Sequence, residues 1–165
     1  MARNVMYSFH YALDSQRAAQ VRNMGVLEGN APVSDNDWEA VTKGGTAAIE
    51  KWIAGQIAGR TCVVVLIGKE TAGRKWVTHE ISSGWNAGLG VVGIYIHNLQ
   101  NLAEQQTTKG LNPIGNVTLT ASTAKLSTIA KAYDPPYSTS TNVYAHIKAN
   151  LAGWVEEAIT IRKAN

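Results

Sequence analysis

Residues 61–97 read TCVVVLIGKETAGRKWVTHEISSGWNAGLGVVGIYIH, and the order of patterns within them decides the fold. Two nearly continuous apolar runs, residues 61–67 and 90–97, have the Val- and Ile-rich composition of strands covered on both faces. Between them, residues 74–87 carry Val77, Ile81 and Trp85 four apart, which is one apolar face of a helix. Covered strand, helix and covered strand in that order predict a parallel α/β sheet.

Working outward, residues 4–9 (NVMYSF) supply another apolar run, followed by a helix over residues 13–24 with Asp14 or Ser15 as its cap. The segment VSDNDWEAVTKGG also starts like a helix. Asn36 and Glu39 have the outline of a capping box, with Asn in place of the usual Ser or Thr, and Gly44 and Gly45 end it. Residues 47–57 carry Ile49, Trp52, Ile53 and Ile57 at helical spacing, and Gly59 is the stop. Downstream, residues 104–140 are rich in Thr, Ser, Asn and Gly, with Pro113 and Pro135–Pro136. They read as loops with one or two short strands near Val117 or Ile129. A C-terminal helix over about 141–163 closes the chain, its stripe formed by Val143, Ile147, Leu151, Trp154, Val155, Ala158 and Ile159. The expected architecture is a single α/β domain over residues 1–165, with a central, mostly parallel sheet in a three-layer sandwich of the flavodoxin-like order.

Composition narrows the function classes. The chain is 45% hydrophobic and 16% charged, an ordinary globular balance, and its charge of +3 comes without any basic run, so no nucleic-acid partner is expected. The single Cys62 lies in an apolar run and reads as a core side chain; one cysteine suits a reducing compartment. The start MARNVMYSFHY has no signal-peptide apolar stretch, and no segment approaches the ~20 apolar residues of a membrane span. A cytoplasmic protein with no membrane partner is the expectation.

Ligands of open parallel sheets bind beyond the carboxyl ends of the strands. Those ends deliver Ser8, Phe9, His10 and Tyr11 from the first run, Gly68, Lys69, Glu70 and Thr71 from the second, and His97 and Asn98 from the third. Glu80 lies in the helix that follows the second. At ~100° per residue it falls about 100° from the centre of the Val77–Ile81–Trp85 face, at the boundary between core and surface. Trp76 and Ser83 share its flank, and His79 points away from the core. A Trp beside a carboxylate can stack on a flat ligand and raise the carboxylate's pKa. The same spacing also fits a solvated Glu and a rim-packing Trp. His10 reads equally as a substrate contact or as a hydrogen-bonded turn residue. GKETAGRK lacks the Gly-Lys-Ser/Thr ending of a P-loop, and no GxGxxG follows the first run. His10, His79, His97 and His146 are scattered, so no metal site is expected.

RKWVTHEISSGW resembles the helix of enzymatic TIR domains that carries W-V-x-x-E-I, and NVMYSFHY resembles the first TIR box. YSFHY, QVRNMGV, SDNDWE, VVVLIG, KWVTHEI and GVVGIYIH together are similar to the bacterial TIR-like family that includes the signal-producing protein of Thoeris anti-phage systems. The likeness covers residues 4–98, weakens, and recovers in the last helix. It implies a flavodoxin-like TIR fold, NAD⁺ as substrate without a further cofactor, and an essential Glu, which maps onto Glu80. It also implies a ligand-lining segment at Ser8, Phe9, His10 and Tyr11, and gives Asn36 and Asp37 as substrate contacts where a BB loop would lie. The Arg-Asp and Pro-Gly signature of receptor BB loops and the Phe-Trp third box have no counterpart here, so receptor-style contacts are not expected and self-association stays open. The resemblance implies a cyclic ADP-ribose isomer that acts as a messenger for a separate effector. Two other classes fit the same residues: a nucleoside deoxyribosyltransferase-like enzyme and a non-catalytic TIR-like assembly module.

Overall fold

In the computed structural model, residues 2–30, 35–120 and 122–165 are described. Chain order is β1 (Asn4–Ser8), α1 (Tyr11–Arg22), β2 (Glu28–Gly29), α2 (Asp35–Thr42), α3 (Thr46–Ile57), β3 (Cys62–Ile67), α4 (Lys75–Asn86), β4 (Gly90–Tyr95), β5 (Ala132–Tyr133) and α5 (Ser140–Lys163). The strands form one sheet in the order β2-β1-β3-β4-β5, and every pairing is parallel. This is the flavodoxin-like order expected from the βαβ reading.

The two apolar runs are the centre of that sheet. β3 pairs β4 along its whole length, from Cys62↔Gly90 to Ile67↔Tyr95, and all six β3 side chains are buried. Alternation sends Val63, Val65 and Ile67 to one face, where they meet Val77, Ile81 and Trp85 of α4. It sends Cys62, Val64 and Leu66 to the other, against Ala18 and Val21 of α1 and the α5 stripe. Covering both faces removes any polar alternation, which is why these strands read as unbroken Val and Ile. Trp154 is the stripe member that stays half-exposed; its ring stacks on Tyr133, with centroids 4.6 Å apart.

Close packing explains two glycines. A Cβ on Gly90 would lie 2.7 Å from the backbone carbonyl carbon of Ala158, so α5 lies with its main chain against the start of β4. A Cβ on Gly84 would collide with Val63, which lets α4 sit low on β3.

Several local expectations need correction. α1 begins at Tyr11, and its cap is His10, whose Nδ1 accepts from the Leu13 N–H at 3.2 Å; Asp14 and Ser15 lie inside the helix. The extended backbone of His10 and its ring nitrogen let it do what Asp or Ser does more often at this position. α2 begins at Asp35, which puts Asn36 in the first turn and not at the cap. On α3 only Ile53 of the four apolar residues is fully buried. In the loop-rich segment, Val117 ends a 3-10 turn (Pro113–Asn116), and the nearest pairing is a single antiparallel bridge, Thr118↔Lys125. The strand there is β5, three residues beyond Ile129.

Candidate functional site

β1 runs between β2 and β3, and its register, Val5↔Cys62 to Ser8↔Val65, brings Ser8 to the carboxyl edge of the sheet. α4 crosses the face beyond it. Glu80 thereby reaches the end of β1, where the Ser8 hydroxyl donates a hydrogen bond to Glu80 Oε1 at 3.1 Å. Both side chains are buried, Ser8 at 1% and Glu80 at 5% exposure. Burial pushes the Glu80 carboxyl up to about 8, and the Ser8 hydrogen bond works against that rise. Glu80 is therefore more enclosed than its helical angle suggests, because the end of β1 closes over a flank that a wheel drawn for one helix leaves open.

Strand alternation splits the segment after β1. Phe9 packs into the opposite core, with α1 and α5, and Tyr11 packs beside it, ring centroids 6.4 Å apart. Ser8 alone of this pair of neighbours faces Glu80. His10 caps α1 through its Nδ1 and is 6% exposed.

Trp76 is half-buried on α4. The Arg74 guanidinium lies 3.7 Å from its ring centroid, and the buried Trp38 of α2 lies 5.9 Å away. Trp38 also meets Trp52 at 5.1 Å and His79 at 6.3 Å. A cavity of about 380 Å³ opens here, lined by Trp38, Glu39, Thr42, Arg74, Lys75 and Trp76 among others. It has the aromatic walls and the cationic groups that a flat, anionic ligand needs. Asp37 is on the exposed side of α2; Asn36 is on the same helix, its side chain outside the described residues. A larger cavity of about 540 Å³ lies between α2 and α3, and neither cavity has Ser8 or Glu80 among its walls.

The sheet edge holds further buried polar groups: Thr71 and His97, expected at the strand ends, and Asp14, Arg17 and Asn30, which sequence reading did not place there. Asp14 and Arg17 of α1 form an ion pair at 3.2 Å, with side-chain exposures of 1% and 6%. Asn30, after β2, accepts from the Tyr7 N–H at 2.9 Å and donates to Gln56. Thr71 accepts from the Gly68 N–H at 2.8 Å. His97 is buried, which holds its imidazole below the ordinary range, and no partner of its Nδ1 is found among the described residues. A helical spacing of Asp and Arg at i and i+3 is common on solvated faces, so nothing in the sequence separates this buried pair from an exposed one. Cys62 is buried and pushed up to about 12, as a core thiol should be. Among the described residues no three His, Cys, Asp or Glu groups gather as a metal site requires, and no helix is long and apolar enough to cross a membrane.

A five-stranded parallel sheet in this order, with a buried Glu on the helix after β3 and a Trp one turn before it, defines a TIR-like domain. The chain belongs to the family described as the Thoeris protein ThsB, TIR-like domain, whose model matches residues 6–101 and so spans both Ser8 and Glu80. It is also 34% identical over 118 residues to the Bacillus cereus (strain MSX-D12) protein named "Putative cyclic ADP-D-ribose synthase ThsB1". That match takes in 68% of this chain and 62% of the relative, so the chain spans less than two thirds of the relative's length.

Proposed function

We propose that this chain cleaves NAD⁺ at the nicotinamide–ribose bond, with Glu80 as the catalytic carboxylate, and closes the remainder into a cyclic ADP-ribose isomer. The observation that carries the reading is the buried Glu80 carboxyl with its Ser8 hydrogen bond at the carboxyl edge of the sheet. Family membership and the relative's name as a cyclic ADP-D-ribose synthase support it.

Nicotinamide in NAD⁺ is a cationic pyridinium. When the C1′–N bond breaks, its electron pair stays on the ring nitrogen, and neutral nicotinamide leaves without needing a proton. Positive charge is left on the ribose, an oxocarbenium-like state akin to that of glycoside hydrolysis. An ionised Glu80 in a dry setting stabilises that charge more strongly than it would in water. The incoming cation also favours ionisation of the carboxyl, offsetting the burial that opposes it. Capture of C1′ by a nitrogen or hydroxyl of the same molecule closes the ring and releases one proton; capture by water gives ADP-ribose. Exclusion of water decides between these outcomes. The Trp38–Trp76 cavity, with Arg74 and Lys75, suits the adenine and diphosphate portion of a folded substrate. Acting in the cytoplasm, the enzyme would deliver its product by diffusion to a separate effector in anti-phage defence.

Incubation of the purified chain with NAD⁺, with and without extract of phage-infected cells, tests this directly. Chromatography with mass spectrometry should show free nicotinamide and an equal amount of a product lighter than ADP-ribose by one water. No nicotinamide under either condition would rule the reading out.

A further inference from the structure

We infer that Ser8 is a positioning residue for this reaction: its hydroxyl fixes the Glu80 carboxylate in its working orientation and does not itself touch the substrate. The inference rests on the NAD⁺-cleavage reading above. It departs from the resemblance to enzymatic TIR domains, which puts Ser8 among the residues that line the ligand.

The geometry carries it. A hydroxyl has one proton to donate, and that of Ser8 goes to Glu80 Oε1 at 3.1 Å. Ser8 is 1% exposed, and its backbone is held by pairing with Val65 of β3, so its hydroxyl is presented from a fixed point inside the fold. Glu80 instead hangs from a helix by three rotatable bonds, and a long side chain of this kind loses its freedom only at some cost. A short, rigid donor on the neighbouring strand is a means of holding it in one rotamer.

The same bond acts on charge. An O–H donated to a carboxylate favours its ionised form, against the burial that pushes Glu80 up to about 8. Other titratable groups occupy the surrounding elements: Glu50 and Lys51 on α3, Glu70, Arg74 and Lys75 around the 3-10 turn before α4, His79 on α4 itself, His10 after β1 and His97 after β4. Among the described residues, the side-chain hydrogen bond found on the Glu80 carboxyl is the one from Ser8. Ser8 is thus the polar group that opposes its neutralisation.

The test compares Ser8→Ala, Ser8→Thr and Ser8→Ala/Glu80→Gln with wild type and Glu80→Gln, all checked for folding by circular dichroism. For Ser8→Ala, kcat for nicotinamide release should fall about 10- to 100-fold, the range for losing a hydrogen bond to a charged group, with KM for NAD⁺ nearly unchanged. The activity–pH midpoint should move to higher pH. Ser8→Thr, which keeps the hydroxyl, should recover most of the loss, and the double variant should be no slower than Glu80→Gln. A raised KM with an unmoved pH midpoint would make Ser8 a substrate contact and overturn the inference, as would full activity in Ser8→Ala. Should Ser8→Ala not fold, Ser8→Cys, similar in size and a weaker donor, takes its place. If wild type does not cleave NAD⁺ at all, it is the functional reading that has failed. Carbon-13 NMR titration of the Glu80 carboxyl then judges Ser8 separately: a higher midpoint in the variant supports the inference and an identical midpoint sinks it.

Discussion

At the scale of single residues, the chemistry and the stability of this protein make opposite demands on Glu80. Its carboxyl is raised from 4.5 to about 8 by burial. The folded state therefore holds this proton more tightly than the unfolded chain does. The resulting stabilisation is complete below pH 4.5, drains away as pH climbs toward 8, and is gone above it. Glu80→Gln keeps the shape and removes the charge, so the variant should be more stable than wild type at pH 8.5 by an amount on the order of 1–4 kcal/mol, and should lose that advantage near pH 5. Urea unfolding at the two pH values measures this; equal stabilities at both would mean Glu80 is solvated. The same substitution should slow nicotinamide release by roughly 10² to 10³, equivalent to about 3–4 kcal/mol at the barrier, and should depress cyclic product in step because both pass through one cation. An equally active, well-folded Gln variant beside an active wild type would remove Glu80 from the mechanism. Trp76→Ala should leave the fold intact, since the ring is half-buried, and weaken NAD⁺ use by about 1–3 kcal/mol through loss of a stacking surface. If Trp76→Ala unfolds while its folded fraction keeps full activity, the ring is a core element only. Both residues were legible in the sequence as one flank of one helix. The depth of Glu80 was not, because it is made by Ser8 on a strand 72 residues earlier.

At the scale of elements, what the sequence displays depends on how much apolar surface an element buries. β3, β4, α4 and α5 each bury a continuous run or stripe, and each was readable to within a few residues. β2 and β5 are two residues long, too short for any period to appear, and they are defined by the strand they pair with. The cap of α1 escaped notice for a related reason: a His takes the role through one ring nitrogen, which no composition rule favours. Ser8 and Phe9 were grouped as a single pocket edge, yet adjacent residues at a strand end face opposite ways, and only Ser8 meets Glu80. The seating of α5 on β4 gives a sharp test. Gly90→Ala places a Cβ 2.7 Å from the Ala158 carbonyl carbon, a backbone atom that cannot swing aside, and should destabilise by about 1–3 kcal/mol or more. Gly153→Ala lies on the same helix with nothing within 4 Å of the new Cβ, and should stabilise by roughly 0.5–1 kcal/mol. Thermal melts of the two variants should therefore move in opposite directions. A neutral Gly90→Ala would mean that α5 sits less tightly on β4 than these distances imply.

For the molecule as a whole, the parallel order β2-β1-β3-β4-β5 follows from chain patterns, but the way its carboxyl edge is tied together does not. Arg17 makes that tie. Its guanidinium donates to the Leu99 carbonyl at 2.8 Å, to the Gln105 carbonyl at 2.8 Å and to Asp14 Oδ1 at 3.2 Å, joining α1 to the chain that leaves β4. Asp14 in turn presses against Gly68 at the end of β3, where a Cβ would strike its carboxylate. Its second oxygen, Oδ2, is buried, and no partner for it is found among the described residues, so Arg17 carries most of the compensation for a carboxylate that burial already pushes up. Replacing Arg17 with Met keeps much of the stem's bulk and strands that charge. Breaking one side of a buried pair typically costs about 3–5 kcal/mol, and Arg17→Met should fall in that range in urea unfolding at pH 8. Asp14→Asn added to Arg17→Met removes the uncompensated charge and should return part of the loss. The single variant's deficit should also shrink as the pH is lowered, because the stranded Asp14, raised further without Arg17, then takes up a proton more readily than it does in the unfolded chain. A deficit under about 1 kcal/mol that does not change with pH would show that water reaches Asp14 and that the pair is an ordinary surface contact.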